Sequence, residues 1–96
     1  MRASGEPIEP PEPGMATLYG KVTDAETGEP IWDAMVHLIA DTQYEIQTVE
    51  NGNYVLANII PGTYTLRVTD HEYVEHQVAL IIPEGTKKYN VSMEPL

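Results

Sequence analysis

The side chains best suited to proton transfer or metal ligation in this sequence are its three histidines, His37, His71 and His76. Two of them stand in a polar stretch with Asp70, Glu72 and Glu75. Imidazole and carboxylate together bind zinc, and a His–carboxylate pair can act as a general base. No serine or threonine joins them in a recognisable nucleophile motif, and a spacing of five puts His71 and His76 on opposite faces if one strand carries both. They read as surface histidines on a loop and an edge strand. A second stretch crowds Asp24, Glu26, Glu29 and Asp33 together. Calcium takes roughly six to eight oxygen ligands, which a carboxylate-rich loop can supply in part. The spacing fits no EF-hand pattern, however, and the glycine and proline between the carboxylates splay them, so a solvated acidic loop is expected. No cysteine is present. That removes disulfides, thiolate metal centres and thiol nucleophiles. Neither a catalytic residue, a metal nor a cofactor is expected.

Charge narrows the partners. Fifteen acidic residues against five basic ones give a formal charge of −10. Nucleic-acid binding rests on lysine and arginine neutralising phosphates, so it is not expected. Anionic membrane surfaces are disfavoured for the same reason. No apolar run approaches the roughly 20 residues that cross a bilayer. The segment Met1–Pro7 has no apolar stretch of the signal-peptide kind, so no signal peptide is expected in this chain. The expected partner is a protein within a larger assembly: a second copy, or a capsid or tail protein.

The residues that fit this task are apolar side chains in unusual places. Trp32 follows Pro30-Ile31 in a loop. Met35 and Ile39 fall on the outward side of their strand, Ile60 precedes a Pro-Gly turn, and Ile81 is out of phase with Leu80. Clustered exposed apolar groups mark interfaces, and tryptophan is enriched at binding hot spots. The competing expectation is that Trp32 folds over one open end of the domain as a lid. Residues 1–14 form a separate Pro/Glu-rich arm. Pro7, Pro10, Pro11 and Pro13 alternate with Glu6, Glu9 and Glu12, and Ile8 is the one sizeable apolar side chain among them. Proline fixes φ and removes donors. The arm therefore reads as extended and polyproline-like, reaching about 40 Å at roughly 3 Å per residue. Ile8, Pro10, Pro11, Trp32, Met35 and Ile60 are the candidate partner-binding residues.

The elements that position these residues are strands. A chain of 96 residues and 10.7 kDa allows one small domain, here residues 15–96, of marginal stability. Period-two alternation puts Leu18 and Val22 on one side of a first strand, and Ala34, Val36 and Leu38 on one side of a second. It recurs at Tyr44/Ile46, Tyr54/Leu56, Tyr64/Leu66/Val68, Val78/Leu80 and Tyr89/Val91/Met93. Asn51-Gly52 predicts a type I′ hairpin with both residues at positive φ. Pro61-Gly62 predicts a type II turn with positive φ at Gly62. Gly28 fits a positive-φ turn too. The reading is a seven-stranded antiparallel Ig-like or prealbumin-like β-sandwich with an extended N-terminal arm and no substantial helix. Tyr54 and Tyr64 read as wide fillers between the sheets, their hydroxyls reaching the edge.

Several segments together resemble the carboxypeptidase regulatory-like domain, a transthyretin-like β-sandwich. They are Gly20-Lys21-Val22-Thr23-Asp24, Thr27-Gly28-Glu29-Pro30-Ile31, Ala34–Leu38, Asn51–Leu56 and Asn58–Val68. They occur in the family's order and cover roughly residues 16–94. At His71-Glu72-Tyr73 the family usually has a glycine before the tyrosine, which bears on that turn alone. The resemblance implies an accessory module without catalytic residues. A related class, the collagen-adhesin B-type domain, forms an internal Lys–Asn isopeptide bond. Here Lys21 faces outward by alternation, and Val68 stands where the catalytic acid is needed, so no such bond is expected.

The function expected is a non-enzymatic structural or docking module of a larger assembly, at the virion or the extracellular surface. Its concrete form is a phage capsid decoration or tail protein. The alternative is a carbohydrate- or peptide-binding accessory domain of a secreted enzyme or surface adhesin.

Overall fold

The computed structural model describes residues 11–96. Ile8 and Pro10 lie outside them. Alternating apolar residues form eight strands: β1 Ala16–Asp24, β2 Met35–Ile39, β3 Gln43–Gln47, β4 Asn53–Ile59, β5 Gly62–Asp70, β6 Tyr73–Ile82, β7 Gly85–Lys88 and β8 Val91–Met93. One sheet runs β4-β1-β7, with β8 continuing along the same edge of β1, and the other runs β3-β2-β5-β6. The side chains expected to face inward do so. Leu18, Val22, Val36, Leu38, Leu66 and Val68 are fully buried between the sheets, and Tyr54 and Tyr64 are buried with them. The tyrosine hydroxyls donate to the carbonyls of Tyr89 and Ile60.

The strand count is eight rather than seven because Gly85–Lys88, ahead of the last expected strand, also pairs with β1, and the last strand itself runs only from Val91 after an interruption at Tyr89-Asn90. There the chain closes over Gly20: a Cβ on Gly20 would lie 1.9 Å from the Tyr89 carbonyl oxygen. The ladder is kept by substitution. The Tyr89 N–H donates to the Tyr19 carbonyl at 2.8 Å, and the Lys21 N–H donates to the Asn90 side-chain oxygen at 3.0 Å. Asn90 thus replaces a backbone acceptor, and Lys21 points to solvent. The pairing is antiparallel except that β7 and β8 run parallel to β1.

Two turns differ from expectation. Asn51-Gly52 is not a type I′ turn, because only Gly52 has positive φ, at 82°. The Gly52 N–H donates to the Val49 carbonyl and the Val49 N–H to the Asn53 carbonyl. This is a three-residue loop closed by one left-handed glycine. It suits strands that must part into different sheets. Gly62 is extended at the start of β5. The positive φ near that corner lies instead at Asn58, at 57°, where β4 bulges against β1.

The registers define two ends. Ala16 pairs with Ile59 and Gly85, and Gly62 pairs with Ile82, at the end where residues 11–15 enter. Met35 pairs with Thr69, Asp24 with Met93, and Asp70 with Tyr73 at the opposite end.

Candidate functional site

Thr48 shapes the second end. Its hydroxyl donates to the Ile31 carbonyl at 2.7 Å and accepts the Ala34 N–H at 2.9 Å. Its backbone donates to Ala34 at 2.9 Å and accepts from Asp33 at 3.1 Å. With Ile31 and Ala34 both anchored in the core, the two residues between them must loop outward. Asp33 takes positive φ, at 71°, and Trp32 is 62 % exposed. It does not fold over the domain as a lid.

Beside this loop lies a shallow groove of about 370 Å³ lined by Asp33, Met35, Thr69, Asp70 and His71. Met35 and Thr69 are cross-strand neighbours on the outer face of β2 and β5. The Asp33 carboxylate accepts from the Gln47 amide at 2.6 Å. Asp70 accepts the Glu72 N–H at 2.9 Å, which fixes the turn carrying His71. His71 is exposed, with its ring nitrogens 3.8 Å from Asp70 and from Glu72. The groove thus offers an apolar thioether, a hydroxyl, two carboxylates and an imidazole.

Of the sequence-derived candidates, Trp32 and Met35 come to this end. Ile60, 52 % exposed, sits at the other. Its N–H takes the Tyr44 hydroxyl as acceptor at 3.0 Å. About 23 Å of β5, seven residues at roughly 3.3 Å each, separates the two ends. Pro11 lies at the Ile60 end, where Gly14 donates to Glu84. Asp33, Thr69, Asp70 and His71 were not among the candidate partner-binding residues. His71 and Asp70 were visible as a polar corner, but nothing in the sequence paired that corner with Met35.

The possible catalytic and metal groups do not converge. His76 faces inward, its ring tilted against Tyr89 with centroids 6.4 Å apart and its Nε2 without a partner. His37 lies between Glu45 and Arg67 on the outer face. In the acidic loop, Asp24 accepts the N–H groups of Glu26 at 2.7 Å and Thr27 at 3.0 Å, and the Tyr73 hydroxyl at 2.9 Å. Those bonds hold its carboxyl below the usual range, with the Thr27 N–H first among them. Hydrogen bonding to that carboxylate pushes the Tyr73 hydroxyl up to about 12. Asp24 is therefore committed to closing the loop and tying it to β6. Among the described residues no group of three or more His, Asp or Glu side chains could hold a metal ion.

Known proteins share this architecture. A candidate carbohydrate-binding protein from Bacteroides uniformis superposes with a TM-score of 0.72 at 18 % identity, covering 83 % of this chain and 41 % of the other. A DUF3823 family protein from the same organism gives 0.67 at 18 %, covering 84 % and 43 %. The 3-chlorocatechol 1,2-dioxygenase of Rhodococcus opacus gives 0.71 at 13 %, covering 90 % and 62 %. At these identities the likeness is one of fold, and the chain spans between about two fifths and three fifths of these proteins' lengths. No curated protein matches it in sequence. The sequence pattern of the carboxypeptidase regulatory-like domain, in contrast, matches residues 17–94. That stretch takes in every strand but the first residue of β1, and the chain belongs to the carboxypeptidase regulatory-like domain family.

Proposed function

We propose that this chain is a non-enzymatic accessory module that binds carbohydrate at the Trp32 end of its sandwich, as part of a secreted or cell-surface protein. The observation that carries this reading is the exposed indole of Trp32, whose chain neighbour Asp33 lines a groove with a few convergent polar groups. The C–H face of a sugar ring stacks on an indole, and its hydroxyls donate to carboxylates and exchange hydrogen bonds with Thr69 and His71. The loop is pinned by Thr48 at both ends, so little order has to be gained on binding. The carbohydrate-binding Bacteroides neighbour supports this reading. The relatives bring no support to docking on a virion.

The test is the full chain against an immobilised glycan panel, beside Trp32→Ala. The variant is expected to lose at least about tenfold in affinity, the scale of a hot-spot truncation. Its melting temperature should stay within a degree or two of the parent, since the side chain is mostly solvated. Equal binding by both proteins, or binding of no glycan by the parent, overturns the reading.

A further inference from the structure

We propose that the outer face of the β4-β1-β7 sheet, with β8, is a second binding surface, and that it takes an anionic polysaccharide. The outward positions are Thr17, Tyr19, Lys21 and Thr23 of β1, Asn53, Val55 and Ala57 of β4, Thr86 and Lys88 of β7, and Ser92 of β8, of which Thr17 alone is buried. None of them is acidic, in a chain with fifteen acidic residues against five basic. The other sheet differs. Its outer face carries Glu45, and Glu75 in an ion pair with Arg67 at 3.2 Å.

The registers gather the lysine face. Tyr19 and Lys21 share it through the two-residue period of β1. The parallel pairing with β7 sets Lys88 directly beside Tyr19, and Val55 flanks the ring from β4. Lys21 and Lys88 are both exposed. Among the described residues neither makes an ion pair. Two uncommitted ammonium groups thus border a half-buried phenol ring, with Asn53, Thr23, Thr86 and Ser92 around them. At physiological ionic strength charges act over roughly 8 Å. A ligand on this face therefore meets the lysines more strongly than the carboxylates at the two ends of the sandwich.

The shape selects the ligand within the anionic class. The groove lies on the opposite sheet, and this face presents a half-buried tyrosine ring flanked by exposed lysines. A flat pyranose carrying a carboxylate can stack on Tyr19, place its charge between Lys21 and Lys88, and exchange hydrogen bonds with the hydroxyl and amide groups. An acidic polypeptide offers the lysines the same charge but no flat ring to lie on Tyr19. The surface is separate from the Trp32 groove and does not rest on it.

The experiment is affinity electrophoresis of the full chain through gels containing polygalacturonate, with dextran as the neutral polymer and polyglutamate as the anionic polypeptide. Retardation by polygalacturonate alone is expected, weakening as salt is raised. Lys21→Gln/Lys88→Gln should weaken it roughly threefold to tenfold, as two exposed charge contacts allow. Tyr19→Ala should weaken it also. Arg67→Gln on the other sheet should leave it unchanged. Melting temperatures of the variants confirm that they are folded. No retardation by polygalacturonate, retention unaffected by the double lysine substitution, or equal retardation by polyglutamate each overturns the proposal.

Discussion

Asp24 shows how a residue that looks like a cation ligand becomes a structural one. One oxygen caps the loop after β1 and the other accepts from Tyr73 at the start of β6, so one carboxylate joins the two sheets. Its pKa is depressed in the folded state. The stabilisation is therefore present above the ordinary value of 3.8, and is lost as pH falls below it towards the folded value. Asp24→Asn keeps an oxygen for the N–H groups but loses the charge and the second acceptor. It should melt below the parent at about pH 6, and the gap should narrow on acidification to about pH 3. Thermal melts across that range check this, and a constant gap would contradict it. Tyr73 gives the opposite sign. Its raised pKa, about 12, means that its contribution holds below pH 10 and fades as pH climbs towards the folded value.

Among the elements, β5 was the most legible. Tyr64, Leu66 and Val68 alternate cleanly, and all three are buried. Leu66 is 0 % exposed and sits between Leu38 and Val78 on the neighbouring strands. Leu66→Ala should cost about 2–5 kcal/mol, a large share of the stability of so small a domain. Chemical denaturation measures it, and a midpoint equal to the parent's would contradict the packing. The β3–β4 turn was legible as a turn but not as a type. Asn-Gly favours the two-residue form when both strands lie in one sheet. Here β3 and β4 go to different sheets, and the extra residue lets them part. Gly52 is required on two counts: its φ of 82°, and the Val22 carbonyl 2.6 Å from where a Cβ would stand. Gly52→Val should therefore cost at least about 2 kcal/mol, since strain at a left-handed site alone is worth about 1–3.

For the whole molecule, the candidate binding residues divide between the two ends of the sandwich. Trp32 and Met35 occupy one end, and Pro11 and Ile60 the other. A single contact surface combining arm and tryptophan is thus excluded for the described residues, and each end must be tested by itself. Among the described residues the buried core begins at Ala16. Truncation of residues 1–13 should therefore leave the melting temperature nearly unchanged, because residues 11–13 bury no side chain and the sequence before them holds Ile8 as its one sizeable apolar residue among prolines and glutamates. A drop of more than a few degrees in scanning calorimetry would mean that the domain begins earlier than residue 15.

Local chemistry determined most of the architecture. Side-chain alternation has a period of two, burial selects one phase of it, and Gly and Pro punctuate the strands, so strands, core and family could be read directly from the residues. Three features depended on contacts between segments far apart in the chain. Gly20 looks like an ordinary strand residue until the Tyr89 carbonyl, 69 positions later, closes on it and separates β7 from β8. Trp32 is exposed because Thr48, just past the end of β3, anchors both its flanks. The groove and the lysine face each combine residues from separate strands, and their membership is set by register. Register follows from how two sheets pack their inward faces, a property of the assembled sandwich that no single strand contains.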